Sequence, residues 1–455
     1  MCMMTRSAGV QQSLFSVTLE EVVPENHLLR KLDKVVDFSF IYDELAPHYC
    51  AVNGRASIDP VIIVKSILIA FLYGIHSERR LEQELDTNVA YRWFIGIPFG
   101  ERVPDHSTLS QLRRRKYNNT DIFKTIFKQT VKLCAESGLI SGRLLVTDST
   151  HVRASASNSK KEHIEIEQQA DLFLEELDKY EAQERERLGL PSIEHKHKPE
   201  KTERTKSITD PDAGWLKRPG KPEGFHYLSH QTMDAENGII VDVEVTAANV
   251  RDNEPYLEQI ESAETTLREL NIEVEAACGD AAYDTALIHK VMEERSLKFI
   301  APKNEHTPYT KVEYTRNDFA YDKESDTFTC PAGKILSLKT LQRTKSNIYR
   351  EYRTKPCDCK NCPNRSKCLA PSQKSRKIQV NIFQSIVDKH HENDGSDEYN
   401  EALKKRRLWC EATFGIQKQC HNLKGMFRRG LRAAREHCWL SACAINLKRF
   451  IKATT

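Results

Sequence analysis

Two short apolar runs, each leading into an aspartate, set the strongest limit on how this chain can fold. Leu144-Leu145-Val146-Thr147 ends at Asp148, and Ile272–Cys278 is followed by Gly279 and Asp280. Runs this short, bounded by polar and glycine-containing segments, suit strands better than helices. Between them, Phe225–Met233 and Ile239–Val245 flank Asp234-Ala235-Glu236-Asn237-Gly238, and the Asn-Gly pair predicts a hairpin. Asp252 is placed to cap a helix over Pro255–Leu270. A helix over Thr285–Arg295 and a strand over Leu297–Ala301 complete the pattern.

Three antiparallel strands followed by alternating helix and strand describe an α/β fold: a ribonuclease-H-like mixed sheet flanked by helices. In that topology the first and fourth strands are neighbours. Asp148 and Asp280 then meet at one sheet edge although 132 positions separate them (280 − 148). Residues 1–137 read as an all-helical domain, with helical spacing through Ile58–Tyr73 and Tyr91–Ile97. A further helix opens at Pro104–Thr108, where Asp105 or Ser107 can cap. Arg113, Arg114 and Arg115 follow on it and are candidates for DNA contact.

The sheet domain is expected over 138–303 and 377–455. A charged insertion occupies 159–222, helical over Ile164–Leu188 and otherwise mobile. A small cysteine-rich domain is inserted over 304–376. The longest apolar run, Val61–Ile75, is interrupted by Lys65 and too short to span a bilayer, so it is read as a buried helix with no membrane role. No N-terminal segment has the charged-then-apolar layout of an export signal, so the cytosol is the expected compartment.

The net charge of +3 says little about partners, but its distribution says more. From Glu401 to Lys452 there are 13 Lys and Arg against 3 acids, an excess suited to DNA phosphates. Within it lies Arg406-Arg407-Leu408-Trp409-Cys410-Glu411, on a helix expected over Glu398–Cys420. At about 100° per residue, Arg407 and Lys418 both fall within about 40° of the Glu411 direction. An acid flanked by cations on one face suits a site that holds a metal ion and phosphates together. Two strand-borne acids and one helical acid can hold Mg2+ or Mn2+, and two such ions can clamp the attacking and leaving oxygens of a phosphodiester.

These residues resemble the DDE transposases of bacterial insertion sequences, in the branch with an Arg-x3-Glu-x6-Lys signature. Arg407, Glu411 and Lys418 match the signature. Val146–His151 and Cys278–Asp284 resemble the blocks around the first and second Asp. Val23-Pro24 to Arg30, Gly54-Arg55 to Pro60, Tyr73-Gly74-Ile75 and Pro104–Thr108 resemble the family's helical domain. The branch often has Tyr seven residues before the Glu, where this chain has Lys404, so a cation replaces a tyrosine contact to DNA. The resemblance implies hydrolysis at transposon ends, attack of the freed 3′-hydroxyl on target DNA, and catalysis by Asp148, Asp280 and Glu411 with two Mg2+ or Mn2+ ions. It also implies double-stranded DNA as partner, a homodimer or larger assembly on paired ends, and a nucleoid-associated bacterial protein. Asp284 is read as a helix-start residue.

Thirteen cysteines without an export signal argue against a disulfide framework. Five are grouped: Cys330, then Cys357, Cys359, Cys362 and Cys368. Cys359-x2-Cys362 has the knuckle spacing of a structural zinc site, with Cys330 and Cys368 completing four thiolates and Cys357 as a spare. Members of the branch often carry a similar cluster. His226 and His230 lie on a strand, about 13 Å apart along one face, and are rejected as a metal pair. His195, His197, His390 and His391 fall in charged stretches and receive no role. Three other readings compete: a ribonuclease-H-like nuclease that cuts without joining, an inactive transposase-derived DNA-binding protein, and a zinc-stabilised interaction protein.

Overall fold

The computed structural model describes residues 18–49, 57–168, 172–193, 200–218, 220, 222–304, 312–344 and 347–454. His195 and His197 lie outside them. The chain forms two compact units: a helical one from residues 1–140, 152–155 and 413–455, and a sheet-bearing one from 141–151 and 156–412.

In the helical unit, the helix Pro60–Leu72 starts where the Asp59 carboxylate accepts the Val61 N–H at 2.7 Å and Pro60 fills a first-turn position that needs no donor. Its buried residues run from Ile63 to Leu72 with Lys65 as the interruption. The carbonyls at and just beyond its end are satisfied by side chains. His421 Nδ1 donates to Phe71 (2.8 Å), and Asn422 Nδ2 donates to Ala70 (2.9 Å) and Ile75 (3.1 Å). His106–Arg115 opens at Asp105, whose carboxylate accepts the Ser107 and Thr108 amides. The last helix, Leu431–Thr454, packs against Ile122–Glu136 and Pro60–Leu72. Residues 413–455 therefore belong with the helices rather than with the sheet as expected. A helix buried along most of its length needs apolar neighbours all round, and the N-terminal helices supply them.

The other unit contains β1 (Leu145–Arg153), β2 (Lys161–Gln168), β3 (Glu200–Ser207), β4 (Gly214–Leu216), β5 (Gly224–Asp234), β6 (Ile240–Ala247), β7 (Ala276–Cys278) and β8 (Lys298–Ile300). Its main sheet runs β4-β5-β1-β7-β8, with β6 also paired to β5. β5 and β6 are antiparallel, whereas β1, β7 and β8 are parallel to their neighbours in that trio. The helices Tyr256–Glu269 and Ala286–Glu294 bury Tyr256, Ile260, Ile288 and Met292 with Ala277 and Phe299. The β5–β6 hairpin closes through Asn237-Gly238 as expected, with Gly238 at φ +71°. At Gly142 (φ +75°), where the chain enters β1, an added Cβ would come 2.2 Å from the Glu273 carbonyl, so the close approach requires glycine.

Among the described residues of the charged insertion, 164–168 are strand where a helix was expected, 200–207 are strand where mobility was expected, and the helix falls within its expected range. β2 and β3 form an antiparallel pair, and a helix spans Leu172–Arg187. That helix is tied to a second, wholly antiparallel sheet of β9 (Ala320–Asp322), β10 (Thr327–Thr329), β11 (Ile335–Arg343), β12 (Ile348–Arg353) and β13 (Lys377–Asn381). The ties are Arg343 to Asp178 and Arg350 to Glu184, the latter at 2.6 Å. The helix's acids thus pair with arginines of another element. Since β13 pairs with β12, this second sheet extends past the expected boundary at 376.

Candidate active site

Parallel pairing of β1 with β7 brings the two aspartates together. Val146 is opposite Cys278, and each acid lies two residues further along its chain. Asp280 leaves the sheet and its Oδ1 accepts the Ala282 N–H at 2.8 Å. Asp148 does not end its strand as expected, because β1 continues to Arg153 beyond the last β7 pair. Its Oδ1 accepts the Ser149 N–H (2.8 Å). Arg406 joins the pair: Nη2 lies 2.9 Å from Asp148 Oδ2 and 3.6 Å from Asp280 Oδ2. Burial pushes the Asp148 carboxyl up to about 6; Arg406 and the Ser149 amide oppose it, and Asp280 and Asp252 add to it.

Two neighbours were given no place in the site from sequence. Asp252 accepts the Ser149 hydroxyl at 2.8 Å and faces Arg218 at 3.5 Å, while Pro255 takes the helix N-cap expected of it. Tyr283 is buried with its ring against Gly279, where a Cβ would come within 2.8 Å. Its hydroxyl has no hydrogen-bond partner among the described residues, and burial first, then Asp148, Asp252 and Asp280, holds it far above the ordinary tyrosine range.

The helix Asp397–Cys420 is held to the β5–β6 turn by Trp409, whose Nε1 donates to the Ala235 carbonyl at 2.9 Å. Ala402, Arg406 and Cys410, each four residues apart, form its inward stripe in this unit. The buried Cys410 thiol is pushed far up by burial and then by Asp148. That spacing was the readable signal for Arg406, which sequence reasoning passed over in favour of its neighbour Arg407. Glu411 lies about 100° round the helix from Cys410. Its side chain is 71% exposed and pairs with Arg407 at 3.8 Å, so the structure does not bring it into the Asp148–Arg406–Asp280 cluster. Lys404 is exposed and Lys418 partly buried on the same helix.

The arginine run divides. Arg114 and Arg115 are exposed, whereas Arg113 is buried, 3.3 Å from Glu78 and over the Phe123 ring. Arg113 is therefore held inside the unit as a structural cation. The helix puts it on the same side as Leu109, facing the unit's interior.

Cys330, Cys359, Cys362 and Cys368 line one cavity, and Cys357 is exposed. The Lys334 N–H points at Cys330 Sγ (3.3 Å), and Thr354 Oγ1 lies 3.1 Å from Cys359 Sγ. Burial raises the Cys368 thiol, Arg376 opposes, and Cys359, Cys330 and Cys362 raise it further. Such a convergent thiol set suits a soft or borderline cation. His226 and His230 are buried on β5, bonded to the Gly224 carbonyl and the Thr246 hydroxyl.

His390 and His391, given no role from their charged stretch, are largely buried beside Asp284 and His289. Burial works to raise the Asp284 carboxyl, but His289, His391 and the Asn304 amide hold it well below the ordinary range. His391 is raised, chiefly by Asp284.

A transposase domain profile (DUF772) matches residues 17–115, and a transposase DDE domain profile matches residues 329–451. Together the two profiles support a DDE transposase of insertion-sequence type. No curated relative matches it. A cryo-EM structure of piggyBac transposase in a synaptic complex with hairpin DNA is similar over 92% of this chain and 74% of that one, at 9% identity and a TM-score of 0.34. Among the described residues, no helix is long and apolar enough to cross a membrane.

Proposed function

We propose that this transposase cleaves double-stranded DNA at the ends of its element and joins the resulting 3′-hydroxyl to target DNA, using Asp148, Asp280 and Glu411. The observation that carries the reading is the Asp148–Arg406–Asp280 cluster on adjacent parallel strands. The strand order β6-β5-β1-β7-β8, antiparallel between β5 and β6 and parallel from β1 to β8, supports a ribonuclease-H-like domain. Two carboxylates this close need a cation between them, and the donor set fits a hard divalent ion. When bound, Mg2+ or Mn2+ supplies Lewis-acid stabilisation and a more acidic water or hydroxyl.

The chain's own groups do the rest. Asp148 and Asp280 hold the metal-binding charge, with Ser149 and Ala282 amides orienting one oxygen of each. Glu411 reaches the site from the helix edge once its exposed pair with Arg407 opens. Arg406 balances the aspartates and is then free for the scissile phosphate, a bidentate contact that Lys cannot make. Arg407, Lys404, Lys418, Arg114 and Arg115 contact flanking phosphates. The four thiols of Cys330, Cys359, Cys362 and Cys368 hold a structural Zn2+ that fixes the second sheet. A dimer or larger assembly pairs the two ends.

The test is cleavage and joining of end-containing DNA with Mg2+ or Mn2+ by wild type, Asp148→Ala, Asp280→Ala and Glu411→Ala. Nicking and joining by wild type, with each variant binding DNA but doing neither, supports the triad. Nicking without joining favours a nuclease. DNA binding by an inert wild type refutes catalysis. Full activity of Glu411→Ala moves the third acid to Asp252.

A further inference from the structure

Asp284 Oδ1 is the common vertex of two imidazoles: His289 Nε2 lies 2.7 Å from it and His391 Nε2 3.1 Å. The other carboxylate oxygen is engaged by the Asn304 N–H at 2.7 Å. Each ring is anchored on its far side. His391 Nδ1 faces both oxygens of Asp394 (3.1 and 3.0 Å). His289 Nδ1 faces His390 Nδ1 at 2.8 Å, and His390 Nε2 faces Glu293 Oε2 at 3.1 Å.

Counting protons shows what this network lacks. It contains five short contacts, and each needs one proton between its two heavy atoms. Three neutral imidazoles bring three protons. When the outer contacts are satisfied, His391 carries its proton on Nδ1 toward Asp394. His390 donates from Nε2 to Glu293, and His289 donates from Nδ1 to His390. Both remaining Nε2 lone pairs then point at the same carboxylate oxygen. His289 and His391 are 1% and 9% exposed, and burial strengthens that repulsion. Two extra positive charges are required at one point, from two protons or from one divalent cation.

We propose that Asp284, His289 and His391 form a site for a divalent transition metal of the Zn2+ type, separate from the Asp148–Asp280 pair and from the cysteine cluster. Among the described residues, these three place one ligand atom each within 4.8 Å of one another. A tetrahedral zinc with bonds of about 2.0–2.1 Å sets its ligands about 3.3 Å apart, so to admit it the 2.7 Å His289 contact opens by about 0.6 Å and the 3.1 Å His391 contact by about 0.2 Å. Imidazole and carboxylate together suit zinc, and the outer partners Asp394, His390 and Glu293 orient the ligating rings as carboxylates and carbonyls do around bound zinc. A cavity of ≈ 500 Å³, lined by His289, His391, Asp394 and Tyr399 among others, offers entry and room for a water as fourth ligand. The ion would clip together three segments: the loop four residues past Asp280, the helix Ala286–Glu294 and the helix Gln384–His391. It would thereby stiffen the loop that carries the second catalytic acid of the proposed reaction.

The test uses the full chain stripped of metal and reloaded with Zn2+, then with Co2+ as a spectroscopic probe. Wild type is expected to retain one zinc more per chain than His391→Gln or His289→Gln. In a background with Cys330, Cys359, Cys362 and Cys368 all changed to Ser, Co2+ is expected to give ligand-field bands without thiolate charge transfer, and His391→Gln to abolish them. Glu293→Gln and Asp394→Asn keep every ligand and lie nearer the surface, so they guard against misfolding. Each is expected to weaken zinc binding about 10–100-fold. Equal zinc content in wild type and His391→Gln, or Co2+ spectra unchanged by the substitution, overturns the proposal and leaves protons as the missing charge. None of these readouts depends on DNA cleavage.

Discussion

Replacing Asp148 by Asn should change how stability depends on pH. The Asp148 side chain is 22% exposed, beside a cation but deep enough that ionisation is unfavourable. An ordinary Asp titrates near 3.8 and this one at about 6, so the folded chain holds its proton more tightly than the unfolded chain does. The stability from that proton is fully present below about 3.8 and is lost as pH rises through about 6. At about 1.36 kcal/mol per pH unit, the loss totals about 3 kcal/mol, of which about 2 kcal/mol falls between pH 4.5 and 7.5. Asn cannot ionise, so Asp148→Asn removes this dependence. Arg406 stays charged throughout and shifts the variant by a constant amount.

The assay is thermal unfolding of the sheet unit at pH 4.5 and 7.5 in chelator, wild type against variant. The variant should gain about 2 kcal/mol on wild type between the two pH values, or about 4–8 °C. Adding Mg2+ or Mn2+ at pH 7.5 should raise wild type and leave the variant unmoved, because the ion stabilises only the ionised acid. An identical pH slope in both proteins would refute the burial argument.

Other outcomes follow from the same geometry. Gly238→Ala should destabilise the sheet unit by about 2 kcal/mol or more, since the left-handed backbone is strained and the new Cβ would sit 2.3 Å from the Trp409 ring; urea unfolding measures this. His437 is buried and bonded to the Asn422 carbonyl, and burial lowers it to about 4. Its contribution is present above pH 6.5 and lost as pH falls through 4, so wild type should lose about 3 kcal/mol over that interval and His437→Gln should not, read by acid titration of helical circular dichroism. Arg406→Met should move the midpoint of the Asp148 titration upward, because the opposing cation is gone; unchanged carbonyl chemical shifts against pH would contradict this. Cys362→Ser should cost one structural zinc and expose the second sheet to proteolysis while Cys357→Ser leaves both unchanged.

Much of this molecule was legible in one dimension. The Asn-Gly hairpin, the Asp105 helix start, the strands leading to Asp148 and Asp280 and the four cysteines of the common cavity all follow from local rules of backbone and spacing. These are short-range effects, and the sequence states them directly. Contacts set by burial were not legible. Arg406 and Arg407 are adjacent cations in the same run, and only packing decides that one faces two aspartates while the other pairs with Glu411 in solvent. Arg113 and Arg114 divide for the same reason. The histidines at 390 and 391 looked like part of a charged surface stretch. Only the fold brings them to Asp284, more than a hundred residues away, where low dielectric turns three ordinary side chains into a demand for positive charge.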